Sequence, residues 1–385
     1  MITIALHHMG GEQWTAGLIV QEMLLQALHS LPAPRPCVKL TVWKETPERD
    51  IEAFRSLVDE VICLPAAGGK ERAEVLGRHG VDVFFSLPTE SALDLNIPRI
   101  VWMYDFQHRH YPENFSTAEV NRRDRLFKAH AASADRILIY SQAVMTDLAA
   151  VAPESIGRAR LVRFVPHIPP NCCEMAPGEI CLRYGLPERF FFLPNHFLPH
   201  KNHAIVIEAL GHLAACGRKP AVVCTGQDKT LVAETLAARC GKLSIEKQFI
   251  RLGLVPRGDY FQLLRKSVAL INPSLFEGFG LSVAEAAGLG KKVLLSDIPV
   301  LREHDAPRAE YFAPDDSLEL ASKMAALWDD ASTGFCRDPA AERQALARLS
   351  VRRDLFGMNV MRIAQEAVEN RAGAGNACLL EAVGA

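Results

Sequence analysis

The segment from Asn272 to Gly288 contains the residues whose chemistry is easiest to infer from the sequence. It reads NPSLFEGFGLSVAEAAG, so a predicted buried strand is followed by a loop with Gly278 and Gly280 and then by a helix that begins near Ser282. Glycine lets the backbone approach a ligand closely, and the free N–H groups of a helix N-terminus attract anions. The segment therefore predicts a site for an anion such as phosphate.

Two carboxylates accompany this anion site. Glu277 precedes the first glycine and Glu285 lies eight residues later. Since phosphate repels a carboxylate, these side chains suit neutral partners such as the hydroxyl groups of a sugar. Ser282 and Glu285 also fit a capping box, in which the glutamate only closes the start of the helix. We expect Glu277 to be exposed on its loop, so that its removal costs little stability.

A lysine precedes an earlier helix of the same half of the chain. Lys201 is followed by Asn202, a good N-cap for the predicted helix Asn202–Cys216. A cation at a helix N-terminus is unfavourable because of the helix dipole, so a phosphate partner would explain this position. A solvated surface lysine is the alternative.

These segments resemble the family 4 retaining glycosyltransferases, the glycosyl transferases group 1. The frame from Pro273 to Ala286, Pro-Ser-x-x-Glu-Gly-Phe-Gly-Leu-x-x-x-Glu-Ala, is similar to that family's signature. Phe191–Asn202 resembles its phosphate-binding segment, and Leu252–Val255 its nucleobase-contacting turn. Asp105–Phe115 resembles an acceptor-side segment of its N-terminal domain. The likeness is strong from about residue 190 to residue 312 and weaker before it.

The resemblance implies transfer of a sugar from a nucleotide diphosphate with retention, without a metal ion and without a cofactor other than the donor substrate. It implies that Lys201 binds the diphosphate, that Glu277 binds hydroxyl groups of the donor sugar, and that Glu285 binds the ribose. Backbone groups would complete the donor site, those of Leu254 and Val255 at the base and those of Gly278, Phe279, Gly280 and Leu281 at the phosphates.

The sequence departs from the family pattern at two places. The family usually has an arginine five residues before its phosphate lysine, and His196 stands there in this chain. Histidine donates hydrogen bonds but is cationic only when its pKa is raised, which a nearby diphosphate would favour. The family's His-Asp pair after an N-terminal strand appears as Tyr104 and Asp105. We expect Asp105 on the acceptor side, with His108 as a further candidate there.

The sequence contains no convincing metal site. Asp315-Asp316 and Asp329-Asp330 are adjacent pairs that we interpret as solvated turns. His108 and His110 flank Arg109, but no clear third ligand accompanies them. The ten cysteines are scattered without a CxxC pair, which favours free thiols in a reducing compartment.

Bulk properties narrow the class of protein. The chain has 385 residues and a formal net charge of −2, so nucleic acid is not an expected partner. We expect no signal peptide and no membrane span, and hence a cytoplasmic protein that is at most peripheral at the inner face of the membrane. A basic cluster (Arg122, Arg123, Arg125 and Lys128) is either a solvated helix face or a contact for anionic lipid, which would suit a lipid-linked acceptor.

Short β-rich runs alternate with helical patterns, which predicts an α/β protein with two doubly wound Rossmann-like domains facing across a cleft, the GT-B fold. A proline-rich stretch at Val165–Pro177 predicts the linker. The expected divisions are residues 1–170 on the acceptor side, residues 171–370 at the nucleotide sugar, and a flexible tail at 371–385. The strands are predicted at Ile2–Leu6, Val38–Trp43, Glu60–Leu64, Val83–Leu87, Ile100–Tyr104, Ile137–Tyr140, Phe190–Leu193, Ala221–Thr225, Phe249–Leu252, Val268–Ile271, Lys292–Ser296 and Tyr311–Phe312.

The loop after the first predicted strand stays ambiguous. It contains His7, His8, Gly10 and Gly11 at a place where doubly wound proteins bind ligands, but it is not a Gly-x-Gly-x-x-Gly motif. A plain turn and a substrate contact are both open.

The function that we expect is a glycosyltransferase of the hexosyltransferase type. It would use a UDP- or GDP-sugar and act on a glycan or lipid-linked acceptor in the assembly of a surface polysaccharide such as lipopolysaccharide. The alternatives are a non-catalytic GT-B subunit that partners another transferase and a nucleotide-sugar isomerase of the same fold.

Overall fold

The structure, a computed structural model, describes residues 2–11, 14–66, 68–93, 95–169, 172, 179–228, 232–304, 306–330 and 338–383, with side chains described as far as residue 371. The chain forms two compact units. The first contains residues 1–165 and 351–385, and the second contains residues 166–350.

The first unit is built on a seven-stranded sheet in the order β3-β2-β1-β4-β5-β6-β7, with parallel pairing throughout. The central strands β4, β5 and β6 are buried at every position, as their apolar sequences VFFS, RIVW and RILI require. The strands are β1 (Thr3–His7), β2 (Cys37–Trp43), β3 (Glu60–Leu64), β4 (Val83–Ser86), β5 (Arg99–Trp102), β6 (Arg136–Ile139) and β7 (Ala159–Leu161). The helices are α1 (Thr15–His29), α2 (Glu48–Glu52), α3 (Gly69–Arg78), α4 (Glu90–Leu93), α5 (Gln107–His110), α6 (Thr117–Ser133) and α7 (Gln142–Val151).

The second unit repeats this architecture with a six-stranded parallel sheet in the order β10-β9-β8-β11-β12-β13. Its strands are β8 (Phe191–Leu193), β9 (Val222–Cys224), β10 (Phe249–Arg251), β11 (Leu270–Asn272), β12 (Val293–Ser296) and β13 (Ala309–Phe312). Its helices are α8 (Glu179–Tyr184), α9 (His203–Ala215), α10 (Val232–Leu243), α11 (Arg257–Lys266), α12 (Leu281–Gly288), α13 (Pro299–Arg302) and α14 (Ser317–Asp330). The apolar faces of α9, α10 and α14 pack on one core cluster with β8, β9 and β11.

The final helix α15 (Pro339–Val383) does not follow the predicted division of the chain, because its residues from 351 onward belong to the first unit. There Phe356 packs edge-on against Phe164, with ring centroids 5.5 Å apart. Glu366 accepts hydrogen bonds from Arg136 at 3.0 Å and from Arg160 at 2.8 Å. The helix continues to Val383 where the sequence predicts a tail, and the flexibility of that tail stays a prediction.

The predicted α/β class with two parallel sheets is confirmed, and all twelve predicted strands are present. The sequence missed β7, a three-residue edge strand at Ala159–Leu161. The N-terminal part of the first unit ends at Val165, where the predicted linker begins. Residues 170, 171 and 173–177 of that linker lie outside the described residues. Within the described part of the chain, none of the helices combines the length and the apolar character that a membrane span requires.

Candidate active site

The order of strands in the second unit places the candidate site. The sheet runs outward in two directions from β8 and β11, which are adjacent and parallel with Phe192 opposite Leu270. Ligands of doubly wound sheets bind beyond the carboxyl ends of the strands at this point of reversal. The loop after β8 contains Lys201 and the loop after β11 contains Glu277, so the topology brings the two predicted residues to one place.

Lys201 and Glu277 contact each other directly. The Nζ atom of Lys201 donates to Oε1 of Glu277 at 2.6 Å, and the two side chains are only 16% and 11% exposed. The hydroxyl of Ser274 donates to the same Oε1 atom at 2.7 Å, and the amide of Asn272 lies 3.4 Å from it. Among the described residues, these donors all act on Oε1, which leaves Oε2 for a ligand.

This environment sets the ionisation of Glu277 and corrects one expectation. Burial by itself would raise its pKa, but the nearby charge of Lys201 and the hydrogen bonds from Lys201 and Ser274 outweigh burial, so that the pKa lies below its ordinary value. The carboxylate is therefore ionised at neutral pH. The prediction that Glu277 is an exposed residue is wrong, because its side chain is mostly buried in an ion pair.

The segment before Lys201 is fixed against the loop of Glu277. The N–H of Leu275 donates to the carbonyl of His200 at 2.8 Å. Burial, followed by the charge of Lys201, lowers the pKa of His200 to about 4, so this histidine is neutral at pH 7. Asn202 adopts a left-handed conformation with φ of 51° and makes no side-chain cap; its amide donates instead to the carbonyl of Pro314 at 2.9 Å. Asn202 is thus the N-cap residue of α9, as expected, but its side chain does not cap the helix.

The loop Gly278–Leu281, which we call the glycine loop, leads into the N-terminus of α12. Gly280 has φ of 85°, and a Cβ atom there would lie 2.8 Å from Leu301 and 3.1 Å from His304. The Nε2 atom of His304 is hydrogen-bonded to the carbonyl of Phe279, and their rings lie 4.7 Å apart. These contacts fix the glycine loop at the start of α12, where helix N–H groups can donate hydrogen bonds to an anion.

Glu285 does not cap the start of α12, which was one of the two roles considered for it. The N-cap of α12 is Gly280, without a side-chain cap, so the capping box of Ser282 and Glu285 does not form. The carboxylate of Glu285 is 1% exposed and accepts hydrogen bonds from Arg257 on one oxygen and from the hydroxyl of Tyr260 on the other.

His196 lies after β8, at the position where the family usually has arginine. Its Nδ1 atom accepts a hydrogen bond from the backbone N–H of Gln227 at 2.9 Å. An N–H group can only donate, so Nδ1 carries no proton and the imidazole is neutral with its proton on Nε2. Gly226 allows this close approach, since a Cβ atom there would lie 2.6 Å from the carbonyl of Asn195.

The predicted nucleobase turn follows β10. Gly253 has φ of 73°, and its carbonyl accepts from the N–H of Gly226 at 2.9 Å, which ties this turn to the loop after β9. Leu254 is 54% exposed, so the turn has an uncovered apolar side chain at the carboxyl edge of the sheet. The backbone of Leu254 and Val255 thus lies at the edge where the resemblance expects the base.

The acceptor-side candidates lie in the first unit, after β5. Asp105 accepts from the N–H of Gln107 at 3.1 Å and is partly buried. His108 is fully buried, with its Nε2 atom 3.1 Å from Asp124 and its ring against Phe127. Burial lowers its pKa despite the hydrogen bond to Asp124. An acceptor-facing side chain would have to be exposed, so this packing does not fit the role expected for His108.

The remaining charged clusters are occupied by ion pairs. Glu119 accepts from Arg122 and Arg123 at 2.8 Å each, and Glu90 pairs with Arg125 at 2.9 Å. Asp329 and Asp330 are solvent-exposed, as expected, but they end α14 instead of forming a turn, and they pair with Arg218 and Lys292. Within the described residues, no three His, Cys, Asp or Glu side chains form a group that could hold a metal ion.

The sequence did not reveal Arg257, Tyr260 and His304 as neighbours of the predicted site. Arg257 and Tyr260 lie on α11, just after the predicted nucleobase turn. Their i, i+3 spacing on one helix face was the only sequence feature that could have indicated a shared partner. His304 follows a four-residue helix, α13, and nothing in its local sequence indicates contact with the glycine loop.

Part of the chain matches a known protein family. Residues 185–342 match the family model of glycosyl transferases group 1. The O-antigen chain mannosyltransferase RfbU of Salmonella typhimurium is 29% identical over 144 residues, which is 36% of this chain and 38% of RfbU. The matched region thus spans less than half of that relative.

Solved structures share the fold over nearly the whole chain. A glycosyltransferase from Rickettsia africae has a TM-score of 0.72 at 13% identity and covers 96% of this chain and 99% of its own. HepE from Anabaena, in complex with UDP and glucose, has a TM-score of 0.69 at 17% identity, with 94% and 99% covered. These likenesses confirm the predicted GT-B fold.

Proposed function

We propose that this chain, whose residues 185–342 belong to the glycosyl transferases group 1, transfers a sugar from a nucleotide diphosphate to a hydroxyl group of a glycan or lipid-linked acceptor. The observation that carries the proposal is the buried Lys201–Glu277 pair at the reversal point of the second sheet. The proposal extends to UDP or GDP as the nucleotide and to retention of configuration.

The geometry suits the departure of a diphosphate. When the bond between the anomeric carbon and the donor oxygen breaks, its electron pair and the developing charge pass to the diphosphate. The glycine loop and the N-terminus of α12 provide N–H groups, and Lys201 provides a positive charge held in place by Glu277. Such preorganised electrostatic stabilisation is a large term in catalysis and needs no reorganisation during the reaction.

Glu277 is suited to the sugar because of how its two oxygens are used. Oε1 accepts from Lys201 and Ser274, while Oε2 is without a hydrogen-bond donor among the described residues. An ionised carboxylate oxygen in a mostly buried position is a strong acceptor for a sugar hydroxyl. The acceptor oxygen forms the new bond to the anomeric carbon, and its proton leaves to an oxygen of the departing diphosphate.

The names of two relatives support a proposal about the substrates. RfbU is named as an O-antigen chain mannosyltransferase, and HepE was solved with UDP and glucose. By analogy we propose a hexose donor and a role in the assembly of a surface polysaccharide, at the cytoplasmic face of the membrane.

The test is donor turnover with a panel of UDP- and GDP-sugars in the presence of a chelator. We expect one donor to be consumed, and we expect the Lys201→Met variant to lose most of that activity. Lys292→Met is the matched control, because Lys292 also lies in the second unit but forms an exposed pair with Asp330. Nucleotide binding without turnover would instead identify a non-catalytic partner subunit, and no binding would refute the proposal.

A further inference from the structure

The carboxylate of Glu285 is covered by the two protein side chains that bind it. Its side chain is 1% exposed, and Arg257 and Tyr260 each occupy one of its oxygens. Because the carboxylate has almost no exposed surface, a ribose hydroxyl reaches it only when one of the two side chains that cover it moves away. The donor that leaves becomes available for a new partner when the nucleotide binds.

Tyr260 is the more firmly held of the two. Its ring packs edge-on against Phe192 at 5.5 Å and against Phe261 at 5.3 Å, so its hydroxyl is fixed by the core. Arg257 is 31% exposed, and its guanidinium lies over the faces of Tyr260 and Phe261 at 4.8 Å and 4.5 Å from the ring centroids. A long, partly exposed side chain at the start of a helix can change its rotamer without disturbing the core, so Arg257 is the donor that can leave.

The glycine loop needs a further cation if it is to bind a diphosphate. The charge of Lys201 is partly offset by Glu277, and His196 adds no charge because its Nδ1 atom accepts the N–H of Gln227. The site thus combines helix N–H groups with little net positive charge, whereas a diphosphate brings about two negative charges.

Arg257 is placed to provide that cation. It pairs with Glu285, which is one turn, about 6 Å along α12, from Leu281 at the end of the glycine loop. It is also the first residue of α11, where the helix dipole makes a positive charge unfavourable. An anionic ligand near the guanidinium would offset this unfavourable interaction.

We propose that Arg257 exchanges partners when the donor binds: ribose hydroxyls replace its guanidinium on Glu285, and the guanidinium then pairs with the diphosphate. The exchange rests on the proposed function, since it requires that the second unit binds a nucleotide diphosphate. Arg257 then acts twice, first as a competitor of the ribose and then as a ligand of the phosphate.

The double role predicts opposite effects of one substitution on two ligands. In the Arg257→Met variant we expect the Kd of the nucleoside diphosphate to rise about tenfold, the scale of one charge-assisted hydrogen bond. We expect the Kd of the uncharged nucleoside to stay the same or to fall, because its competitor for Glu285 is gone. The probes are UDP and uridine, or GDP and guanosine if the wild type prefers that base, each titrated by calorimetry or ligand-observed NMR.

Controls separate this exchange from a structural role. Arg257→Lys keeps a charge and should bind the diphosphate more tightly than Arg257→Met does, and its folding shows that the position tolerates substitution. Arg218→Met removes an exposed arginine of the same unit that pairs with Asp329, and it should change neither affinity.

Equal weakening of nucleoside and diphosphate would show that Arg257 only orients Glu285 and would overturn the exchange, as would the absence of any change. Both outcomes leave the proposed function standing, because the wild type still binds nucleotide. If the wild type binds neither UDP nor GDP, the proposed function fails and the exchange fails with it.

Discussion

The two units contain the same topological feature with different chemistry. In each sheet the strand order reverses at one point, between β1 and β4 in the first unit and between β8 and β11 in the second. The reversal point of the second unit contains the ion pair of Lys201 and Glu277 next to a loop that opens a helix. Among the described residues, the reversal point of the first unit contains His7 and His8, which are influenced by the charges of Arg72 and Asp50 respectively.

The loop after β1 is built as a packed turn. Burial lowers the pKa of His7 to about 4, and its ring lies 4.8 Å from that of Trp43. Gly10 lies so close to α1 that a Cβ atom there would be 2.6 Å from the N–H nitrogen of Leu18 and from the carbonyl of Trp14. Close packing against α1 explains Gly10 without a ligand, which favours the plain turn over the substrate contact.

The difference shows that topology provides a place for a ligand while side chains determine which ligand it is. Both reversal points follow from the alternation of strands and helices, but that of the second unit has a cation and a carboxylate in a direct ion pair beside the loop that opens α12. Substitutions that alter one unit and leave the other intact test this comparison.

The largest effect is expected for Glu277→Gln. Loss of its charge removes a sugar ligand and leaves Lys201 without its partner, so transfer should fall by about 100-fold or more. The free energy of unfolding should also fall by roughly 1–3 kcal/mol, because the pair is mostly buried. Initial rates and urea unfolding measure the two effects.

The double variant Lys201→Met with Glu277→Leu is the control for this prediction. It should regain much of the stability and none of the transfer, since it removes the unpaired charge together with the site. Full transfer by Glu277→Gln would exclude Glu277 from the reaction.

A smaller and contrasting pair of effects is expected at two glycines. Gly280→Ala forces a side chain into φ of 85° and against Leu301, which should disturb the glycine loop and weaken donor binding about tenfold. Gly10→Ala, at φ of 93°, should lower the stability of the first unit by about 1–3 kcal/mol and leave donor affinity unchanged. Calorimetry and thermal unfolding check both variants, and a loss of donor affinity in Gly10→Ala would contradict the comparison.

Acid should destabilise both units through buried histidines. The pKa of His7 in the first unit and of His200 in the second is lowered by burial to about 4, against 6.5 for the free side chain. Between these values the unfolded chain binds protons that the folded chain does not, so stability is complete above pH 6.5 and declines toward pH 4. Each histidine contributes about 1.4 kcal/mol per pH unit within that window.

Urea unfolding at pH 7 and pH 5 measures this decline. His200→Gln should make the dependence on pH shallower for the second unit, and His7→Gln should do so for the first. Equal stability at the two pH values would show that these histidines are protonated in the folded protein.

The smallest effect is expected at the basic cluster of the first unit. Arg122 and Arg123 already pair with Glu119, and Arg125 pairs with Glu90, so little charge is left to attract anionic lipid. Replacing Arg122, Arg125 and Lys128 by glutamine should reduce flotation with anionic vesicles no more than about threefold. Complete loss of vesicle binding would identify this helix as the membrane contact.

Local sequence patterns predicted the strands well because each strand is a short apolar run between turn residues. The predicted partners Lys201 and Glu277 were identified through their loops, but their mutual contact was not, since it depends on β8 and β11 being adjacent. Residues of α15 from 351 onward belong to the first unit, and His304 contacts Phe279. Local sequence patterns indicate neither of these long-range relationships. Burial of His108 and Glu277 was missed for the same reason: loop residues look exposed until the packing around them is known.

The central claim is that the second unit alone carries the charged site for a nucleotide diphosphate. Calorimetric titration of UDP and GDP with chelator present, on the wild type and on Lys201→Met, tests it most directly. The account predicts that one nucleotide binds the wild type and that Lys201→Met weakens it by about 10- to 100-fold, the scale of a charge-assisted contact of 1.5–3 kcal/mol. Equal binding by both proteins, or binding by neither, would contradict it.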